Sequence, residues 1–422
     1  MLESFQYKGI FYLPGGKDKS IHGTLFYDAD DGLTLDLMGD FPRDLERGIK
    51  FIYGELENGK AINLFNNFEI FRQFTTSGMS YAKYASNYLF VGDVLFTSEM
   101  DISFNKIAVH YSYIEDWLNI QTGFKKIDNN PKEHKVSIDY ELPKSIRIPI
   151  SDDKTVTMNF TAKPPPAYQM VRKEVSITQR TEIEFTYKRK AQLWSAFDDV
   201  SHFQNFLTLC LQRPAFVKRM RGFLNIRNSK KIYEVEVFFN QGTKQKEKEI
   251  LPMDTLISYA RISKIFPEVL KNWYGNMVKL KPTEDQYFST YHSKQYFISD
   301  KFLSLARALE AFHRDTTGKK VIYLERLISL QKMYSSLYNN LLKIRNRKAF
   351  AKKVVDLRND FTHSNPISRR NHYRFIKLHY LCENIQIMLS CMLLRYHGVP
   401  ATMIKQGIKM SRLYTHISRK MR

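Results

Sequence analysis

The sequence has few cysteines, no long apolar run and, over its last third, few acidic residues. Its 422 residues contain three cysteines, Cys210, Cys382 and Cys391, with no CxxC and no paired spacing. That argues against a disulfide framework and a zinc site, and for buried thiols in a reducing compartment. The longest apolar stretch, around Ile385 to Leu394, is too short and too interrupted to span a bilayer. The first residues, Met1-Leu2-Glu3-Ser4-Phe5-Gln6-Tyr7-Lys8, show no signal-peptide pattern. A soluble cytoplasmic protein is expected. HExxH, a Cys/His cluster and a DxD pair in a suitable context are also missing, so neither a metal nor a cofactor is expected. Asp28, Asp30 and Asp31 form an acidic turn that reads as a solvated loop rather than a calcium site. Pro14-Gly15-Gly16-Lys17 lacks the GxxxxGK[ST] spacing of a phosphate-binding loop.

What is abundant is positive charge, and it is unevenly placed. The formal net charge is +22. From Gln286 to Arg422 there are 26 Lys and Arg against 7 Asp and Glu, whereas the rest of the chain holds 39 against 36. The asymmetry points to a polyanion-binding C-terminal domain on a near-neutral body. Nucleic acid is the first choice of partner and an anionic membrane surface the second. A solvated basic surface without a specific ligand is the plainer alternative.

Apolar periodicity divides the chain into three parts. Short β-prone runs separated by turn residues fill residues 1–160: Phe5 to Phe11, Ile21 to Tyr27, Leu33 to Met38, Phe51 to Gly54, Ala61 to Phe65, Tyr88 to Phe96 and Ile102 to Tyr113. This pattern predicts a sandwich-like β module. Lys163-Pro164-Pro165-Pro166 is a stiff, extended break. Residues 161–285 read as a second β-rich lobe, with strands over Glu174 to Tyr187, Phe223 to Asn225 and Ile232 to Phe239 and an inserted helix from Asp199 to Leu211. From about Tyr287 the period changes to that of helices. Phe302, Leu305, Leu309 and Phe312 share one face, as do Phe350, Val354, Leu357 and Phe361, and Phe375, Leu378, Cys382, Ile385, Leu389 and Met392. Residues 286–422 are therefore expected to form a basic bundle of four or five helices, giving an α+β protein overall.

The segment Leu357-Arg358-Asn359-Asp360-Phe361-Thr362-His363-Ser364-Asn365-Pro366 carries the most chemistry. Pro366 disfavours a helical Asn365, so a helix should stop there, with His363 in its last turn or just beyond. Residues five apart on a helix lie about 140° apart in azimuth and would not share a face, but an unwinding last turn can bring Arg358 and His363 into one cleft. The pair suits RNA cleavage without a metal. The 2′-hydroxyl lies next to the phosphodiester, so an enzyme has to move protons and stabilise a charged phosphorane. His363 could take the 2′-OH proton or protonate the leaving 5′-oxygen. Arg358 could hold the non-bridging oxygens, and Asn359 and Asp360 could orient these groups. The products would be a 2′,3′-cyclic phosphate and a 5′-hydroxyl. Spacing alone is weak, since Arg307 with His313 and Arg374 with His379 are similarly placed. What distinguishes Arg358 and His363 is the polar pair after the arginine and the helix stop after the histidine.

Arg358-Asn359-Asp360-Phe361-Thr362-His363 resembles the R-x4-6-H motif of HEPN domains. The helix from Phe302 to His313 resembles the first helix of the ApeA-like HEPN group. Gly9-Ile10-Phe11-Tyr12-Leu13-Pro14-Gly15, Gly23-Thr24-Leu25-Phe26-Tyr27 and Tyr88-Leu89-Phe90-Val91-Gly92 resemble the matching ApeA N-terminal domain. The resemblance implies a bacterial anti-phage abortive-infection ribonuclease that cleaves host RNA, with tRNA as the expected class. It also implies a homodimer or higher homo-oligomer whose two motifs face one cleft. The N-terminal module would sense a phage-encoded trigger or restrain the nuclease. Glu310 corresponds to an acidic residue that the family often places near the site; a solvated helix glutamate is the alternative. Two rival readings remain: a HEPN module that binds nucleic acid or a partner without cleaving, and a scaffold whose basic helices bind membranes. The helices lack the amphipathic basic-plus-Trp pattern that the second requires.

Overall fold

The computed structural model describes residues 4–42, 48–73, 80–120, 124–130, 132, 133, 135–163, 176–225, 231–242, 248–293, 297–342, 344–363 and 375–414. The prolines of the expected break at 164–166, the helix-stop residues 364–366 and Arg374 lie outside the described residues. The chain forms two compact units. One takes in Met1–Ile114, Gln121–Ser201 and Phe216–Lys248, the other Glu115–Ile120, His202–Ala215 and Glu249–Arg422.

The first unit is built from strands. They are β1 (Phe5–Tyr12), β2 (Ile21–Asp28), β3 (Gly32–Leu37), β4 (Ile49–Leu56), β5 (Ala61–Gln73), β6 (Tyr81–Val91) and β7 (Ser103–Tyr111). After these come β8 (Phe124–Asn130), β9 (Lys135–Tyr140), β10 (Ile146–Pro149), β11 (Lys154–Lys163), β12 (Thr178–Gln192), β13 (Val217–Asn225) and β14 (Ile232–Phe239). Side chains alternate faces along a strand, and here the apolar set of the first six strands faces inward. Phe11, Leu25, Leu35, Leu37, Ile52, Ile62, Leu64 and Leu89 are fully buried in one cluster.

The sheet closes on itself around that cluster. β1 pairs with β2 and β4, β2 with β3, β3 with β6, β6 with β5 and β5 with β4, all antiparallel. The β-rich module is thus a six-stranded ring with a sheet extension. The extension begins on β6, which pairs with β3 over Ala82–Ser86 and with β14 over Tyr88–Val91. It continues through β13, β7, β12, β11 and β10. Residue 160, the expected end of the first module, lies inside β11, which pairs with β12 from Lys154 to Lys163. The strands expected in a second lobe join this same sheet. In the acidic turn between β2 and β3, the Asp28 carboxylate accepts the backbone N–H of Asp30 at 2.9 Å and of Asp31 at 3.3 Å.

Two glycines show why the N-terminal motif residues are what they are. A Cβ on Gly23 would stand 2.6 Å from the Asp36 carbonyl oxygen, and one on Gly92 would stand 2.5 Å from that of Glu234. Gly92 also has φ +154°, a backbone region that side chains disfavour. Gly92→Ala is therefore expected to destabilise the strand unit by about 2–4 kcal/mol. A lowered chemical-denaturation midpoint would show this, and an unchanged midpoint would contradict it.

The second unit is helical. Most of α1 (Ile114–Leu118) and the second half of α2 (Leu193–Leu211) belong to it, with α3 (Tyr259–Ile262), α4 (Phe266–Gly275), α5 (Met277–His292), α6 (Ile298–Thr317), α7 (Tyr323–Leu342), α8 (Arg347–His363), α9 (Phe375–Tyr396) and α10 (Ala401–Met410). Helix therefore starts near residue 259, inside the stretch expected to be β-rich. Two prolines hide it. Pro267 sits in the first turn of α4, where a missing N–H costs little. Pro282 lies inside α5 and reads as a breaker, yet Leu280, Thr283, Glu284, Tyr287 and Phe288 of that helix are buried. Phe302, Leu305, Ala306, Leu309 and Phe312 form the buried stripe of α6, which packs against α5, α7, α8 and α9.

An aromatic core surrounds Trp273 of α4, which is in ring contact with His202, Phe206, Phe288 and His397. His397 is 1% exposed and its Nδ1 lies 2.8 Å from the Leu393 carbonyl. Burial lowers the pKa of His397 from its ordinary 6.5 to about 4, and that of His292 likewise to about 4. Between pH 6.5 and 4 the unfolded chain takes up protons at these rings that the folded chain does not. Their contribution to stability is therefore intact above about pH 6.5 and falls as the pH drops to 4. The unfolding midpoint of the helical unit should drop across that window. A midpoint that is flat or rises on acidification would contradict this.

Candidate functional site

The sequence of α8, RKAFAKKVVDLRNDFTH, buries Ala351, Val354 and Leu357 at helical spacing. Phe361 meets Phe302 of α6 edge-on, with ring centroids 5.7 Å apart. Arg358 follows Leu357 by about 100° around the axis, so it emerges at the margin of the buried face. Its Nη2 lies 3.5 Å from Glu310 Oε2 on α6. Its Cζ stands 5.6 Å from the ring centroid of Tyr323, the first residue of α7. Its Nη1 is 3.4 Å from the side-chain oxygen of Asn359. The Arg358 and Glu310 side chains are 33% and 32% exposed, open enough for a ligand to reach.

Tyr323 donates its hydroxyl to the Ala306 carbonyl at 2.8 Å. Burial, and then the charge of Glu310, push its pKa well above that of an ordinary phenol, with Arg358 opposing. The phenol is neutral at any physiological pH. Tyr323 is the member of this cluster that the sequence did not reveal. An aromatic at a helix start carries no signal of its own, and Arg358 is remote from it in the chain.

His363 closes α8 and is exposed. The helix is regular through His363, with no unwound last turn, and Thr362 donates its hydroxyl to the Arg358 carbonyl at 2.7 Å. The unwinding considered from the sequence is absent, so Arg358 and His363 of one chain keep an azimuthal separation of about 140°. Glu310 joins Arg358, whereas His363 is turned away from Arg358 by that separation. Asn359 and Asp360 are partly buried beside Arg358 in sequence.

The competing Arg/His pair at Arg307 and His313 separates in the fold. Arg307 is exposed and His313 is 1% exposed, inside the core. Burial lowers the pKa of His313, and the charges of Arg326 and Lys319 lower it further. His379 faces Glu383 at 3.4 Å. The three cysteines are buried thiols, and burial raises the pKa of Cys382 to about 12. Among the described residues no group of three or more His, Cys, Asp or Glu side chains is placed to hold a metal ion. No helix among them is long and apolar enough to cross a membrane.

The Apea-like HEPN family matches residues 303–402, a stretch that includes Glu310, Tyr323, Arg358 and His363. The ApeA N-terminal domain 1 family matches residues 6–273, more than half of the chain. The chain belongs to the ApeA-like family of defence-associated HEPN nucleases, with the ApeA N-terminal domain followed by the HEPN domain. No curated protein and no solved structure matches it.

Proposed function

We propose that the protein is an anti-phage endoribonuclease that cleaves host RNA, with tRNA as the expected class, without a metal ion. Arg358 holds the phosphate and His363 moves the protons. The observation that carries this reading is the one-third-exposed Arg358 side chain, braced by Glu310 and Tyr323, on the helix that His363 ends. A guanidinium so placed can offer its remaining N–H donors to the non-bridging oxygens of a phosphorane. His363, exposed at the helix end, is free to meet the 2′-hydroxyl or the leaving 5′-oxygen.

A separation of about 140° around one helix does not by itself aim both groups at the same scissile phosphate. Two copies facing across one cleft supply an arginine from one protomer and a histidine from its partner, which favours a homodimer as the working unit. Asn359, Asp360 and Glu310 would orient these groups. The exposed Lys348 and Lys352, one turn apart on α8, offer a cationic approach for the RNA backbone. The N-terminal strand unit would sense a phage component or restrain the nuclease, and RNA cleavage would then halt growth in abortive infection.

The experiment is induced expression of wild type, Arg358→Ala and His363→Ala in a bacterial host, with growth followed and RNA ends sequenced. Growth arrest and new RNA ends with wild type alone are expected. Arrest that persists in both variants would remove the enzyme reading. Glu310→Ala should retain cleavage at about one-tenth of the wild-type rate, since it loosens Arg358 without deleting it. A rate equal to wild type would take Glu310 out of the site.

A further inference from the structure

We propose that Tyr323 is a positioning residue for Arg358: its ring supports one face of the guanidinium, and its hydroxyl ties that ring to the turn of α6 that presents Glu310. This rests on the reading of Arg358 as the phosphate-binding group. The distances are those of a working contact. Arg358 Cζ lies 5.6 Å from the ring centroid, inside the limit of about 6 Å for a cation over an aromatic face. The hydroxyl reaches Ala306 O at 2.8 Å. In an α-helix the carbonyl of residue 306 also accepts the N–H of residue 310, so the hydroxyl is anchored to the base of the glutamate's own turn.

The choice of a ring has a chemical reason. An arginine that must grip a phosphorane has to be held still without losing its charge or its donors. Glu310 already forms an ion pair with Nη2 at 3.5 Å. A second carboxylate would cancel the charge and occupy more N–H groups, whereas an aromatic face attracts the cation and takes no donor. The phenol is held neutral by its burial and by Glu310, so it is not an acid or base of the reaction. Its part is to restrict where the Arg358 fork points.

The test is kcat and KM for RNA cleavage by the full chain with Tyr323→Phe and Tyr323→Leu, each made in wild type and in Arg358→Lys. Tyr323→Phe keeps the ring and should stay within about 3-fold of wild type. Tyr323→Leu removes the ring and should lower kcat about 5- to 30-fold with KM changed less than about 2-fold. In the Arg358→Lys background the same Leu substitution should change kcat less than about 2-fold, because its effect runs through the arginine. A Leu variant equal to wild type would overturn the proposal. So would equal losses for Phe and Leu, or an undiminished loss in the Arg358→Lys background, which would mark a role in folding alone. The contact can also be read without activity, in the side-chain Nε–H resonance of Arg358 in protein labelled with ¹⁵N-arginine. A ring-induced shift kept in Tyr323→Phe and lost in Tyr323→Leu is expected, and no difference between the two overturns the proposal. If wild type cleaves and Arg358→Ala cleaves equally well, the phosphate-binding reading fails, whatever the resonance shows.

Discussion

Arg358→Ala and His363→Ala are each expected to lower RNA cleavage by purified protein about 10³-fold or more, with the unfolding midpoint little changed. The expectation of a retained fold comes from where the side chains sit. His363 is exposed at the end of α8, and Arg358 is one-third exposed, with the Glu310 carboxylate 3.5 Å away. Neither fills the core, so removing them should cost little stability, whereas the phosphorane would lose its charge partner or its proton carrier. Mixing the two inactive variants gives a sharper form of the prediction. If a dimer composes each site from an arginine of one protomer and a histidine of its partner, Arg358→Ala mixed with His363→Ala regenerates one intact site per heterodimer. Activity restored on mixing is expected from subunits that exchange. Mixtures as inactive as their parents, despite demonstrated exchange, would contradict the composite site.

His202→Leu is expected to produce the largest loss of stability, about 3–5 kcal/mol. The imidazole and the Glu284 carboxylate are each 4% exposed, with His202 Nδ1 3.1 Å from Glu284 Oε2. The other ring nitrogen lies 3.0 Å from the Trp273 carbonyl, so both nitrogens face acceptor oxygens. Glu284 Oε1 has no hydrogen-bond partner among the described residues. Without the ring, the buried carboxyl group of Glu284 loses the imidazole that faces it at 3.1 Å. A fall in the melting temperature of about 10 °C or more should follow. Replacing both partners, His202→Leu with Glu284→Leu, should recover much of the loss, because the stranded charge goes with its partner. A double variant as unstable as the sum of the two singles would show that the pair does not act as a unit.

The period of two in β1 to β5 and the helical period of α6, α8 and α9 were legible because each segment turns one face to a core, whereas the strand expected over Tyr88 to Phe96 meets only the last four residues of β6. Pairing was not legible. Nothing in the spacing of Tyr81 to Val91 says that β6 serves β3 with one half, β14 with the other and β5 along its length. The strands of the expected second lobe read correctly as strands, but their partner β7 lies far back in the chain. Pro267 and Pro282 masked α4 and α5 because proline reports local geometry, whereas the burial of Tyr287 and Phe288 is a tertiary matter. At the site, Arg358 and His363 stood out because their chemistry is written within one turn and a half of helix. Glu310 came from the family resemblance. Tyr323 came from neither, since its contacts to Arg358 and Ala306 exist only once α6, α7 and α8 pack together.

In the proposed reaction the 2′-hydroxyl attacks the adjacent phosphate under the control of Arg358 and His363, and the RNA ends report on it directly. Wild-type protein incubated with tRNA in the presence of a metal chelator should leave 2′,3′-cyclic phosphates and 5′-hydroxyls, and a single 2′-deoxy nucleotide at the cut position should abolish that cut. Products ending in 3′-hydroxyls and 5′-phosphates, formed only when a divalent cation is supplied, would contradict the account.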